Sequence, residues 1–131
     1  MALTMAMTVF VAHQAKAQID NAVKKQITLT KTSLSGTDTA TADILIDNTV
    51  VSVELIATKT SGTVAGMVYL WGYDLKGTNK VKVDSLTVTN ISGDQWNLIT
   101  IPERTKYSKY SAQFLSTGGV WVPKLYNMRR P

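Results

Sequence analysis

From Gln26 onward the chain is written in short runs rich in Thr, Val and Ile, in which apolar and polar residues take turns and clusters of Gly, Asn, Asp and Ser intervene. Successive side chains of a strand point to opposite faces, so this period of two marks half-buried β-strands. The runs are QITLTKTS, TADILID, TVVSVELIAT, GTVAGMVYLWGYD, KVKVDS, LTVTN, QWNLITI, KYSAQFLS and VWVPKLYNM. Between them lie LSGTDT, IDN, KTSG, DLKGTN, NISGD and STGG, which read as turns. About eight short strands at this spacing predict an all-β fold, a jelly-roll-like antiparallel β-sandwich. A chain of 131 residues has room for one such core plus an appendage.

The appendage is the N-terminal segment. MALTMAMTVFVAHQAKAQIDNAVKKQ is rich in Ala and Met and free of Gly and Pro, and its first basic residue is Lys16. It predicts an α-helical arm over residues 1–25, with the β-sandwich domain over 26–131. Leu3, Met7, Phe10, Val11 and Ile19 give the arm an apolar surface, expected to dock against another subunit or to fold back onto the chain's own sheet. Ala15-Lys16-Ala17 fits the small-x-small cleavage pattern of a signal peptide, but the positively charged start of such a peptide is missing. The uncharged stretch ends at Ala15, short of the about 20 residues of a membrane span, so no transmembrane segment is expected.

Several strands sort cleanly by face. In TVVSVELIAT, Val51, Val53, Leu55 and Ala57 are expected inward, with Ser52 and Glu54 outward. In KVKVD, Val81 and Val83 are expected inward, with Lys80, Lys82 and Asp84 outward. MVYLWGYD breaks the rule, because both of its faces are apolar: Val68 and Leu70 on one, Met67, Tyr69, Trp71 and Tyr73 on the other. We expect Val68 and Leu70 in the core and the aromatic row outside, as an interaction surface unusually apolar for a soluble monomer. Gly72 bears on this, since a strand glycine often marks a bulge or a close backbone approach, and a bulge here would turn Tyr73 over.

Charge and composition narrow the chemistry. The charged fraction is 18%, low for a soluble domain and consistent with a surface covered by other protein. The net charge of +5 resides entirely beyond Ile101, in a basic rim of Arg104, Lys106, Lys109, Arg129 and Arg130, together with Lys124 and opposed by Glu103. Such a rim suits an acidic protein, a membrane surface or nucleic acid, and no specific nucleic-acid motif accompanies it. With no cysteine, disulfides and thiol chemistry are excluded. His13 has no second ligand type nearby, so no metal or other cofactor is expected. The chain lacks a phosphate loop and a nucleophile elbow; a carboxylate pair such as Asp84 with Asp94 or Glu103 is the one catalytic arrangement left to consider, and no enzyme activity is expected.

At SGTVAGMVYLWGYDLKGTNKVKV, Ser61 to Val83, the sequence is similar to a recurring block in small β-sandwich structural proteins of tailed bacteriophages. That block runs Ser-Gly-Thr-Val-Ala-Gly, an alternating strand, a Gly-Ser pair, then Asp-Gly-Thr-Asn-Trp and a further strand. The ending VPKLYNMRRP also looks like the closing strand and basic tail of such proteins, and the resemblance extends over about Asp43 to Pro131. Here the turn is Asp74-Leu75-Lys76-Gly77-Thr78-Asn79-Lys80, two residues longer and with Lys80 in place of the tryptophan. Tyr69, Trp71 and Tyr73 stand where the family carries polar residues, which favours the outward assignment. The resemblance implies a virion structural role, as a capsid decoration or auxiliary protein, a head-fibre base, or a neck or tail component, assembling with copies of itself and with other virion proteins. The alternative is a carbohydrate-binding module or adhesin whose exposed Trp and Tyr stack on a host-surface glycan, with Trp96 and Trp121 as candidate extensions of the platform.

Overall fold

The computed structural model describes residues 24–45, 50–102 and 107–129. Their elements are seven strands: β1 (Lys24–Ile27), β2 (Leu34–Ser35), β3 (Thr39–Leu45), β4 (Val50–Tyr73), β5 (Lys80–Val88), β6 (Asp94–Thr100) and β7 (Lys109–Arg129). All pairings are antiparallel, and no helix occurs among the described residues. The predicted helical arm, with Leu3, Met7, Phe10 and Val11, lies outside the described residues. Lys24 and Lys25, assigned to that arm from sequence, instead open β1 by pairing with Met128 and Asn127.

Nine expected runs become seven strands because three pairs of them are continuous, in β4, β5 and β7, and because β2 forms at Leu34–Ser35, inside a stretch read as a turn. β4 and β7 span 24 and 21 residues and pair with each other along nearly their whole length. KTSG and STGG, read as turns, lie inside these strands at a shared corner. There the β4–β7 register slips between Lys59 and Gly66, and Gly62 and Gly119 take positive φ values of 74° and 70°. Glycine is needed at this corner for space as well. A Cβ on Gly119 would sit 2.7 Å from the Cα of Val64, and one on Gly66 would sit 2.3 Å from the carbonyl oxygen of Leu115.

On one side of the corner the strand order is β6-β4-β7-β1, and on the other it is β5-β4-β7-β3. One face of each half lines the same core. Val53, Leu55, Trp121 and Leu125 come from the first half, and Val68, Leu70, Ala112 and Phe114 from the second. The Phe114 and Trp121 rings meet across the corner at 6.4 Å. Trp121 is thus buried core, not an extension of a surface platform.

Bulges account for the misplaced valines. A register slip between Val50 and Ser52 brings Val50 into the core and leaves Val51 half-buried. A second, opposite Leu70 and Trp71, makes Val83 the extra residue of β5. Asp84 then falls opposite buried Leu70, and Val81, opposite Gly72 near the end of an edge strand, stays 55% exposed.

Gly36 offers a control for the corner, since it too has positive φ, 57°, but a Cβ there meets nothing within 4 Å. Gly36→Ala is expected to cost about 1 kcal/mol for the left-handed backbone alone. Gly119→Ala adds a backbone clash to that cost and is expected to be clearly more destabilising in urea unfolding. Equal losses for the two variants would contradict the corner's steric account.

Candidate functional site

Val68 and Leu70 are fully buried, while Met67, Tyr69, Trp71 and Tyr73 are half-buried on the opposite face of β4. Because the second bulge lies in β5, β4 keeps its alternation against β7 from Met67 to Tyr73 and the aromatic row stays intact. Gly72 serves a close approach instead: the Tyr107 ring covers its buried side, where a Cβ would come within 2.7 Å of the ring. Tyr107 in turn packs edge-on against Tyr110 at 5.5 Å.

The neighbouring strands frame the row with polar groups. Tyr69 stands between Ser85 and Gln113, Trp71 between Lys82 and Ser111, and Tyr73 between Lys80 and Lys109. The Trp71 indole N–H donates to the Gln113 side-chain oxygen at 3.1 Å, which fixes the ring's orientation. Lys80 Nζ lies 4.4 Å from the centre of the Trp71 ring and Lys109 Nζ 4.7 Å from that of Tyr73, within cation–π range. The Tyr69 and Trp71 rings lie 5.5 Å apart and tilted. The result is an amphipathic strip in which half-buried aromatic rings lie between hydrogen-bonding and cationic groups. Such a surface suits contact with another protein or with a sugar ring.

The loop below Tyr73 is braced from within. The Asp74 carboxylate accepts from the Thr78 N–H at 3.0 Å and from the Asn79 side-chain amide at 2.9 Å, and Gly77 supplies a positive φ of 73°. Ser108 donates its N–H to the Tyr73 carbonyl and its hydroxyl to the Asp74 carbonyl, which holds the start of β7 beside the loop.

The basic rim is brought together only in part. Lys109 bonds Asp43 at 3.3 Å, and Asp43 lines an open groove of about 190 Å³ together with Ile44, Leu45, Asn127 and Arg129. Lys109, through its bond to Asp43, and Arg129, at opposite ends of β7, are thus both linked to this one groove. Arg104, Lys106 and Arg130 lie outside the described residues. Of the carboxylate candidates, Asp84 accepts from the Ser85 N–H and Asp94 from the Thr58 hydroxyl at 2.6 Å, in different halves of the sheet. Glu103 lies outside the described residues, among which no cluster of His, Asp or Glu suits a metal ion. Nor does any helix among them have the length and apolarity to cross a membrane.

A surface that sequence reasoning treated only as an extension of the aromatic platform lies on the other half of the sheet. Trp96 is 62% exposed and Leu98 44% exposed on the outer face of β6, beside Ile56 and Glu54 of β4. The alternation in QWNLITI carries this signal, since buried Gln95 and Ile99 leave Trp96 and Leu98 outward.

No family model matches the sequence, and no curated protein matches it. Among solved structures, one described as "CBM4 structure and function" is similar at 13% identity and a TM-score of 0.42, over 73% of this chain and 80% of that one. Another, described as "Structural basis for the promiscuous specificity of the carbohydrate-binding modules from the beta-sandwich super family", is similar at 14% identity and a TM-score of 0.42, over 82% of this chain and 53% of that one. At that distance the site has to be argued from its own residues.

Among the described residues, two carboxylates are held below their ordinary range. The hydrogen bond from Lys31, helped by the Ser35 N–H, holds Asp38 below the usual carboxylate range. At Asp74, partial desolvation pushes upward, but hydrogen bonds from Asn79, Thr78 and Gly77 outweigh it and the net direction is down. Groups depressed in the folded state stabilise it above their unfolded value, and that contribution is lost as pH falls through the folded value. The thermal midpoint is expected to drop as pH falls below about 4, and less steeply in an Asp38→Asn/Asp74→Asn double variant. Superimposable profiles would contradict the assignment.

Proposed function

We propose that this chain is a non-enzymatic β-sandwich of jelly-roll type, working as a structural subunit of a tailed-bacteriophage virion. The observation that carries the assembly reading is the distribution of apolar side chains outside the core. The half-buried aromatic row of β4 lies on one outer face, exposed Trp96 and Leu98 lie on the other, and Leu45, at 74% exposed, sits at an edge. A single-ligand binder gathers such residues into one platform, whereas a subunit gripped by several neighbours carries them on several sides. The virion part of the reading is supported by the resemblance at Ser61 to Val83. Lys109 and Arg129, at the groove lined by Asp43, supply charges that orient a neighbour more than they tighten its binding.

Particles banded on a density gradient from a culture carrying the gene are expected to contain the chain, and Trp71→Ala is expected to reduce its incorporation strongly. The isolated Trp71→Ala chain should keep its far-ultraviolet circular dichroism, because the ring is not part of the core. Full incorporation of the variant would overturn the contact, and absence of the chain from particles would overturn the virion reading.

A second reading, glycan recognition on the β4 face, is favoured by one specific feature: the Trp71 ring is held by Gln113 and flanked by Lys80, Lys82 and Ser111. Fixed aromatic faces beside polar groups suit sugar stacking. A glycan array on the full chain, with Trp71→Ala as control, distinguishes it: Trp71-dependent binding establishes this reading, and a blank array removes it.

A further inference from the structure

The folded sheet has four edges, and three of them are guarded. β1 carries Lys24 and Lys25. β3 is covered by Thr30, whose N–H donates to the Thr41 carbonyl at 3.1 Å and whose hydroxyl accepts from the Thr41 N–H at 2.9 Å. β5 carries Lys80 and Lys82 and is interrupted by the bulge at Val83. Lysines, bulges and covering segments are the usual means by which a sheet edge is kept from pairing with another chain.

β6 has no lysine, no bulge and, among the described residues, no segment pairing with its outer backbone; Gln95 and Asn97 reach only inward, to Thr89 and to the Ser85 carbonyl of β5. DQWNLIT contains no Lys, Arg or Pro, and its pairing with β4 from Ser52 to Thr58 runs without a slip. Among the described residues β4 is its sole ladder partner. Its one charge, Asp94, is bonded to Thr58. Its outer face presents Trp96 and Leu98, whose exposure is wasteful in a free monomer.

We propose that β6 pairs with β6 of a second copy of this chain, antiparallel across a two-fold axis at Asn97, to form one continuous sheet through a dimer. Only a self-complementary strand can do this, because a two-fold interface presents the same patch to itself. About Asn97 the strand is self-complementary: Trp96 faces Leu98 of the copy, Gln95 faces Ile99, and Asp94 faces Thr100. No like charges oppose one another, and the two Trp–Leu pairs lie on the outer face, where cross-strand aromatic–aliphatic contacts add to the new backbone hydrogen bonds. This deepens the assembly reading by naming a partner and a surface, and it rests on that reading for its role in a particle.

Sedimentation velocity of the full chain over a range of concentrations tests it. The unsubstituted chain is expected to form a dimer, and Trp96→Lys and Leu98→Lys, both on the solvent face, are each expected to abolish it without changing circular dichroism. A Trp96→Lys/Leu98→Glu double variant sets opposite charges across the axis in both pairs and is expected to restore the dimer, which a loss of folding would not allow. A chain monomeric at every concentration, or a dimer untouched by both single lysine variants, would overturn the proposal. Incorporation of Trp71→Ala into particles reads the other outer face, so the two proposals fail separately.

Discussion

The backbone ladder between β4 and β7 is the constraint on which everything else depends. Every other strand pairs with one of these two, so neither half of the sheet has a scaffold without them. Backbone groups taken from water must find partners, and two strands of more than twenty residues satisfy each other's over most of their length. Such a pair left flat would expose an apolar face on both halves. Bending both strands together at Gly62 and Gly119 turns those two faces toward one core, which Trp121 and Phe114 fill at the bend.

The same bend creates the two candidate surfaces. Alternation gives each half a face that is not in the core, and the folded sheet turns the two outward on opposite sides. Tyr69, Trp71 and Tyr73 occupy one and Trp96 and Leu98 the other. The aromatic row is held rigid by its neighbours, through Gln113, Lys80 and Lys109, instead of by burial. Rigid aromatics with little rotamer freedom to lose make effective contact groups.

Much of this was legible in the sequence, and the failures have identifiable causes. Period-two alternation located the strands, and reading the aromatic side of MVYLWGYD as the outer one, which the family resemblance favoured, placed Val68 and Leu70 inside, as the structure has them. Alternation misplaced Val51, Val81 and Asp84, because a bulge adds one residue and no local signal announces it. It read KTSG and STGG as turns, since glycine serves a turn and a strand bend equally well, and only the pairing partner tells them apart. The companions of the aromatic row were invisible for another reason: Gln113 is 42 residues from Trp71, and register across a long ladder cannot be read from either strand alone. Trp96 and Trp121 looked equivalent in sequence, and the corner packing separates them into surface and core.

The central claim is that this chain works through its outer sheet faces, around a core that its partners never touch. Hydroxyl-radical footprinting read by mass spectrometry, on the free chain and on the same chain in its assembled state, measures that directly. The account predicts that Tyr69, Trp71 and Trp96 are oxidised in the free chain and protected on assembly, while Trp121 is protected in both. Equal oxidation of Trp71 and Trp96 in the two states would contradict it.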